Sequence, residues 1–135
     1  MTAFVLDPRL AADCFILAES DQFILLLMNN ALIPWFILVP KTDKTELHEL
    51  DSSTQTQIFS VINRLSAFIS TDYKPDKINV AAIGNIVQQL HIHIVVRYKT
   101  DCYWPGVVWG GSEKQAYKEK NMEKIKLKLV SILEL

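Results

Sequence analysis

The chain has 135 residues, half of them hydrophobic, and balances 14 basic against 15 acidic side chains for a net charge of −1. That length suits one domain over residues 1–135 with a proper core, and the balanced charge excludes the broad basic footprint of a stable nucleic-acid binder while leaving room for a small phosphorylated ligand at a local site. Apolar runs at Phe23–Met28 and Trp35–Val39 fall far short of the ~20 residues of a membrane span, and the start MTAFVLDPRL lacks the basic flank of a secretory signal, so a soluble cytoplasmic protein without membrane association is expected.

Asp7-Pro8 opens a short turn or helical segment, after which Cys14–Leu17 and Phe23–Met28 read as two strands of a hairpin joined around Glu19-Ser20-Asp21. The loop NNALIP leads to a third strand, WFILVP, which is short, aromatic and β-branched. From Asp51 the period changes. Ile58, Val61, Ile62, Leu65, Phe68 and Ile69 follow the spacing of an amphipathic helix, with Ser52 and Gln55 offering a capping box. Beyond Pro75, Lys77–Ile83 and Gln89–Tyr98 supply two more strands around a Gly84-Asn85 turn. Near the end, Met122, Ile125, Leu129, Ile132 and Leu133 trace a second helical stripe, while Lys120, Lys124 and Lys128 lie on another side as a solvated face. Strands and helices without βαβ alternation predict an α+β domain: a five-stranded antiparallel sheet with a central and a C-terminal helix on one face, the other face staying available. Cys14 and Cys102 lie far apart and show no metal-ligand spacing, which predicts buried free thiols.

The stretch QQLHIHIVVRYK holds two of the three histidines. Alternation along a strand places Leu90, Ile92, Ile94 and Val96 on one side, and Gln89, His91, His93, Val95 and Arg97 on the other. Side chains two positions apart on one face are about 6–7 Å apart at Cβ, close enough to address one ligand group. Three roles fit that spacing: a nucleophile at His91 assisted by His93, a metal pair, or plain strand residues. The metal reading lacks a third ligand, since His48 sits in the separate ELHEL segment. Upstream, Gly84 in AAIGNIVQQ lets the chain turn and leaves amide groups approachable, as phosphate oxygens require.

These segments resemble the histidine triad (HIT) hydrolases and transferases, whose signature is His-φ-His-φ-His-φ-φ after a glycine-containing turn; here it reads Gln89-Leu90-His91-Ile92-His93-Ile94-Val95. The resemblance spans nearly the whole chain. PWFILVPK looks like the nucleotide-side strand, LHELD introduces the central helix, and TDCYWPGVVWG is similar to the tail of a bacterial branch that includes diadenosine-tetraphosphate hydrolases.

It implies that His91 attacks the α-phosphorus of a nucleotide to form a nucleotidyl-imidazole, that His93 steadies the phosphate, and that Asn79, Gly84, Asn85 and Ile86 serve the same site; the nucleoside is then expected against the early strands, with Asn29, or second to it Asn30, reaching the ribose, and with Trp104 and Trp109 closing the site from the tail or packing a partner subunit. It also implies a homodimer, dinucleoside polyphosphates or nucleoside phosphoramidates as substrates, and no required cofactor or metal cage, a divalent cation only accompanying a polyphosphate. Three positions depart from the pattern. Gln89 replaces the first histidine; its amide can donate and accept and so keep an orienting role, but it cannot titrate, while Ile86 stands where many members have a hydroxyl and Trp35 where many have a histidine, these two each losing a polar contact. The alternative implied by those departures is a catalytically weak or inactive nucleotide-binding module.

Overall fold

The structure is a computed structural model that describes residues 3–134. Asp7 Oδ1 accepts the Arg9 N–H at 2.8 Å and Pro8 takes the first helical position, which launches the short helix α1 (Pro8–Asp13). Strands β1 (Cys14–Glu19), β2 (Phe23–Met28) and β3 (Trp35–Pro40) follow, then a 3-10 turn at Leu47–Glu49, helix α2 (Ser52–Asp72), β4 (Lys77–Ala82), β5 (Ile92–Arg97) and helix α3 (Glu119–Leu129). The strands form one sheet in the order β1-β2-β3-β5-β4, every neighbouring pair antiparallel, as the α+β expectation requires.

Strand β3 is buried at every position, and so is β5, because both faces of the sheet are covered. β3 accordingly reads as an unbroken apolar run and β5 as one interrupted only by His93 and Arg97, whereas the outer strands β1 and β4 show mixed exposure. On one face Leu25, Leu27, Phe36, Leu38, Ile94 and Val96 pack against Ile58, Val61, Leu65 and Ile69 of α2 and Leu129 of α3. The opposite face carries a second core, in which Leu10 of α1 meets Leu26, Ile37, Val39 and Val95, closed by Val108 from the tail. The expectation that all helices share one face therefore holds for α2 and α3 alone. The face expected to stay open is covered by α1 and the segment after β5.

Several boundaries differ from the sequence reading. The α2 cap is Asp51, whose Oδ1 accepts the Thr54 N–H at 2.7 Å, and not a Ser52–Gln55 box; the Gln55 amide instead donates to the Leu47 and Leu50 carbonyls. Strand β4 stops at Ala82 and β5 begins at Ile92, so residues 83–91 form a loop and Gln89 and His91 precede the strand. Ile132 and Leu133 pack on the core beyond the end of α3. Lys128 pairs with Asp72 of α2 at 3.0 Å, so one member of the lysine row serves helix docking. Both cysteines are free, yet Cys14 is only partly buried and Cys102 is exposed, which corrects the expectation for each.

A polar brace ties the tail to the sheet. Arg97, 2% exposed, donates from Nε and Nη2 to the two carboxylate oxygens of Asp101 at 2.9 and 3.1 Å, from Nη1 to Asn79 Oδ1 at 2.9 Å and from Nη2 to the Gly106 carbonyl at 2.7 Å. Asp101 also accepts the Tyr98, Tyr103 and Trp104 amides. Burial pushes its carboxyl up, but the Arg97 bond with the Tyr98 and Tyr103 amides outweighs this and holds it at about 2. Removing one partner strands the other in a dry setting. Asp101→Ala is expected to destabilise the protein by about 3–5 kcal/mol in urea unfolding, while Lys128→Ala, at an exposed pair, changes it by less than about 1 kcal/mol.

Candidate active site

The register of the sheet delivers the two histidines to the α1 side. His93 lies opposite Ile37 on β3 and Ala81 on β4, and Trp35 is its diagonal neighbour, paired with Val95. Diagonal neighbours are ~7–8 Å apart, a span that an indole reaches and a short side chain does not. Trp35 Nε1 accordingly donates to His93 Nδ1 at 2.9 Å. His91 sits one residue before β5, with Nδ1 2.7 Å from the main-chain oxygen of Gln89. A carbonyl only accepts, so Nδ1 of His91 carries a proton, and in the neutral ring its Nε2 presents the lone pair. The two imidazole centroids are 4.8 Å apart at 69°, and each residue is 5% exposed.

Both rings line a cavity of about 580 Å³. Its apolar wall includes Leu10, Met28, Ile37, Val108 and Trp109, and its rim carries Arg9, Asp13, Glu113 and Lys114. Trp109 arrives because Gly110 adopts φ +88°, a conformation other residues resist, and because Gly111 leaves no room for a side chain beside the Tyr103 ring. Its ring meets His93 edge-on at 5.3 Å. A second recess of about 480 Å³, bordered by Glu46 and His48 from the turn before α2, shares Ile83, Asn85 and His91 with the first. His91 thus stands where two spaces meet.

The other expected site residues are distributed unevenly. Asn85 and Ile86 line the main cavity, Ile86 as a 77% exposed side chain at its mouth, while Gly84 and Gln89 border only the second recess. Gly84 has no left-handed backbone, and a Cβ there would meet Val87 O at an ordinary 3.4 Å, so flexibility is not what the position needs. Among the described residues the N–H groups of Gly84 to Val87 donate to no main-chain acceptor and are open to water or a ligand. Asn79 lies outside the cavity wall and is held by Arg97. Asn29 accepts the Tyr117 amide at 2.8 Å and also lies outside; its neighbour Asn30 borders the cavity, with Oδ1 accepting from Leu32 N and Gln115 N.

Gln89 is spoken for as well: Oε1 accepts the Asp7 N–H at 2.9 Å and Nε2 donates to the Val5 carbonyl at 3.0 Å. The sequence reading ranks Asn29 ahead of Asn30, whereas Asn30 is the one that borders the cavity; it offers Trp104 and Trp109 as closing residues, of which Trp109 lines the wall, and it misses α1 with Arg9. The WPGVVWG pattern was the available signal for Trp109, whereas the approach of α1 to the histidines left none. Among the described residues no three His, Cys, Asp or Glu side chains converge to hold a metal ion, and no helix is long and apolar enough to cross a membrane.

An α+β fold with paired imidazoles beside a mostly apolar cavity defines the class. Residues 9–100 match the HIT domain family. A histidine triad protein from Marinobacter aquaeolei is similar in structure with a TM-score of 0.91 and 42% identity, 98% of each chain being covered. A histidine triad protein from Bradyrhizobium japonicum gives a TM-score of 0.87 at 34% identity, covering 98% of this chain and 96% of that one. For a histidine triad protein from Sinorhizobium meliloti the values are 0.89 and 34%, over 93% and 94% of the two chains. No curated protein matches the chain. The chain belongs to the HIT domain family, whose members are in general nucleotide-binding hydrolases and transferases, some of them non-catalytic.

Burial, and then the neighbouring His91, pull the His93 imidazole from 6.5 down to about 3. The unfolded chain therefore takes up a proton that the native state refuses between those two values, so this group's contribution to stability is complete above pH 6.5 and is lost as pH falls towards 3. Urea unfolding across that range is expected to lose up to about 1.4 kcal/mol per pH unit through this group, and His93→Gln is expected to flatten the slope.

Proposed function

We propose that the protein is a nucleotide hydrolase or nucleotidyl transferase that cleaves at the α-phosphate through a nucleotidyl-histidine on His91. The observation that carries this reading is the pairing of complementary rings: His91 offers a lone pair at Nε2, because the Gln89 carbonyl holds the proton on Nδ1, and His93 lies 4.8 Å away at the same cavity. His91 Nε2 attacks phosphorus, the new P–N bond forms as the bond to the leaving group breaks, and the leaving group departs with that electron pair. Water or another acceptor then attacks the same phosphorus; its P–O bond replaces P–N, its proton leaves, and the His91 lone pair returns. His93 and the free amides of residues 84–87 donate to the phosphoryl oxygens as charge develops on them.

The nucleoside fits the lobe walled by Met28, Ile37, Val108 and Trp109, with Asn30 rather than Asn29 nearest to it. Gln89 orients the nucleophile through its main-chain oxygen, and its amide holds the N-terminal segment. We take residues 1–135 as one domain acting in the cytoplasm as a homodimer, on dinucleoside polyphosphates or nucleoside phosphoramidates, with a divalent cation only accompanying a polyphosphate.

One observation favours a second reading, a nucleotide-binding module without turnover: the Gln89 amide is committed to Val5 and Asp7, and no titrating side chain stands in its place.

A panel of adenylated and guanylated polyphosphates and phosphoramidates separates the two. Wild type is expected to turn over at least one compound and to yield a covalent nucleotidyl-protein on rapid quenching, while a folded His91→Ala variant does neither. Binding without any trapped adduct would select the module. Gln89→His is expected to change the rate only if the new imidazole displaces the Val5 and Asp7 contacts.

A further inference from the structure

Trp35 stands where the sequence pattern pointed to a lost polar contact, yet its indole makes a buried hydrogen bond to one of the paired imidazoles. We propose that Trp35 is a positioning residue that fixes the tautomer of His93, so that His93 presents an Nε2–H donor to the phosphoryl group. This rests on the reading of His91 and His93 as the pair that handles that group.

An indole N–H donates and never accepts. With Trp35 Nε1 2.9 Å from His93 Nδ1, that nitrogen supplies the lone pair and the proton of the neutral ring resides on Nε2. The alternative tautomer and the imidazolium would each set two N–H groups against one another at a site where Trp35 is 8% and His93 5% exposed. Orientation is fixed along with the proton. The Trp35 ring lies edge-on to His93 at 5.7 Å, Trp109 does so at 5.3 Å, and the two indoles meet at 6.0 Å and 83°.

The two imidazoles consequently differ in what they present. His91 is a lone-pair donor because a carbonyl accepts its Nδ1–H, and His93 is an N–H donor because an indole occupies its Nδ1. Sequence alone does not distinguish them. Trp35 also has no ionisation of its own, so the constraint persists at every working pH. Of the groups nearest His93, His91 titrates, whereas Ile37 on β3, Ala81 on β4, Trp35 and Trp109 do not; Arg9 and Asp13 of α1 and Glu113 and Lys114 of the tail stand elsewhere on the cavity wall.

Nitrogen-15 NMR of the ligand-free protein tests the assignment without reference to turnover. In wild type His93 Nδ1 is expected to resonate as a bare ring nitrogen and Nε2 as a protonated one, unchanged from neutral pH to about pH 5. In Trp35→Phe, which keeps a ring and removes the donor, the two tautomers are expected to mix and the titration of His93 to move towards neutrality. On the best substrate of the panel, kcat is expected to fall about tenfold or more with KM little changed, a smaller loss than the ~10²–10³ for deleting a donor that touches the substrate. Trp35→His, able to donate again, is expected to recover part of kcat and to add an ionisation to its pH profile. Thermal unfolding verifies that each variant is folded.

A protonated His93 Nδ1 in wild type, or a folded Trp35→Phe that keeps the wild-type tautomer and kcat, overturns the proposal. Wild-type tautomers as stated but no turnover of any substrate would support the positioning geometry and instead defeat the catalytic reading on which its use depends.

Discussion

The site depends on the antiparallel register that holds β5 between β3 and β4. Pairing Ile37 with His93 and Trp35 with Val95 puts an indole diagonal to an imidazole, and pairing Ala81 with His93 puts a methyl group on its other flank. A slip of one residue would turn His93 into the α2 core and bring Ile92 or Ile94 to the cavity. The register is secured because both faces of β3 and β5 are buried, so every side chain of those strands has a packing partner to lose.

Two polar systems occupy the α1 side of this sheet, and they are built on opposite principles. The histidine pair is hydrogen-bonded to groups that do not titrate, an indole and a carbonyl, in surroundings that disfavour a charge on His93. At the end of β5 and in the turn beyond it, Arg97 and Asp101 retain full charges, and the cost of burying them is offset by a two-point ion pair with further bonds to Asn79, Gly106 and three main-chain amides. The charged system fixes the segment that carries Val108 and Trp109 over the sheet, and the histidine pair faces the space thereby enclosed. The strong charges thus sit in the scaffold, and no ion pair is formed by either histidine among the described residues.

The departures from the HIT pattern take on a different meaning in three dimensions. Gln89 looks like a nucleophile's lost neighbour, but its amide joins Val5 and Asp7 to the loop before β5 while its carbonyl aligns His91. Trp35 looks like a missing histidine and supplies a donor of its own. Asn79 and Asn29, attractive as polar residues near the motifs, are used by Arg97 and by the Tyr117 amide. In each case the residue type was legible, and the partner was not, because partners up to 88 residues distant in the chain are chosen by folding.

By itself the sequence determined the strand and helix types, the antiparallel α+β class and the facing of His91 and His93, since alternation and helical period are local consequences of backbone geometry. Its local cues misplaced the ends of β4 and β5 and the cap of α2, where neighbouring candidates compete for the same amide or ladder position. Only the tertiary structure decided that α1 and the tail close the second sheet face, that Asn30 and Trp109 reach the cavity, and which nitrogen of each imidazole bears the proton. Those outcomes follow from hydrogen-bond partners and packing surfaces that lie far apart in the chain and meet when the sheet assembles.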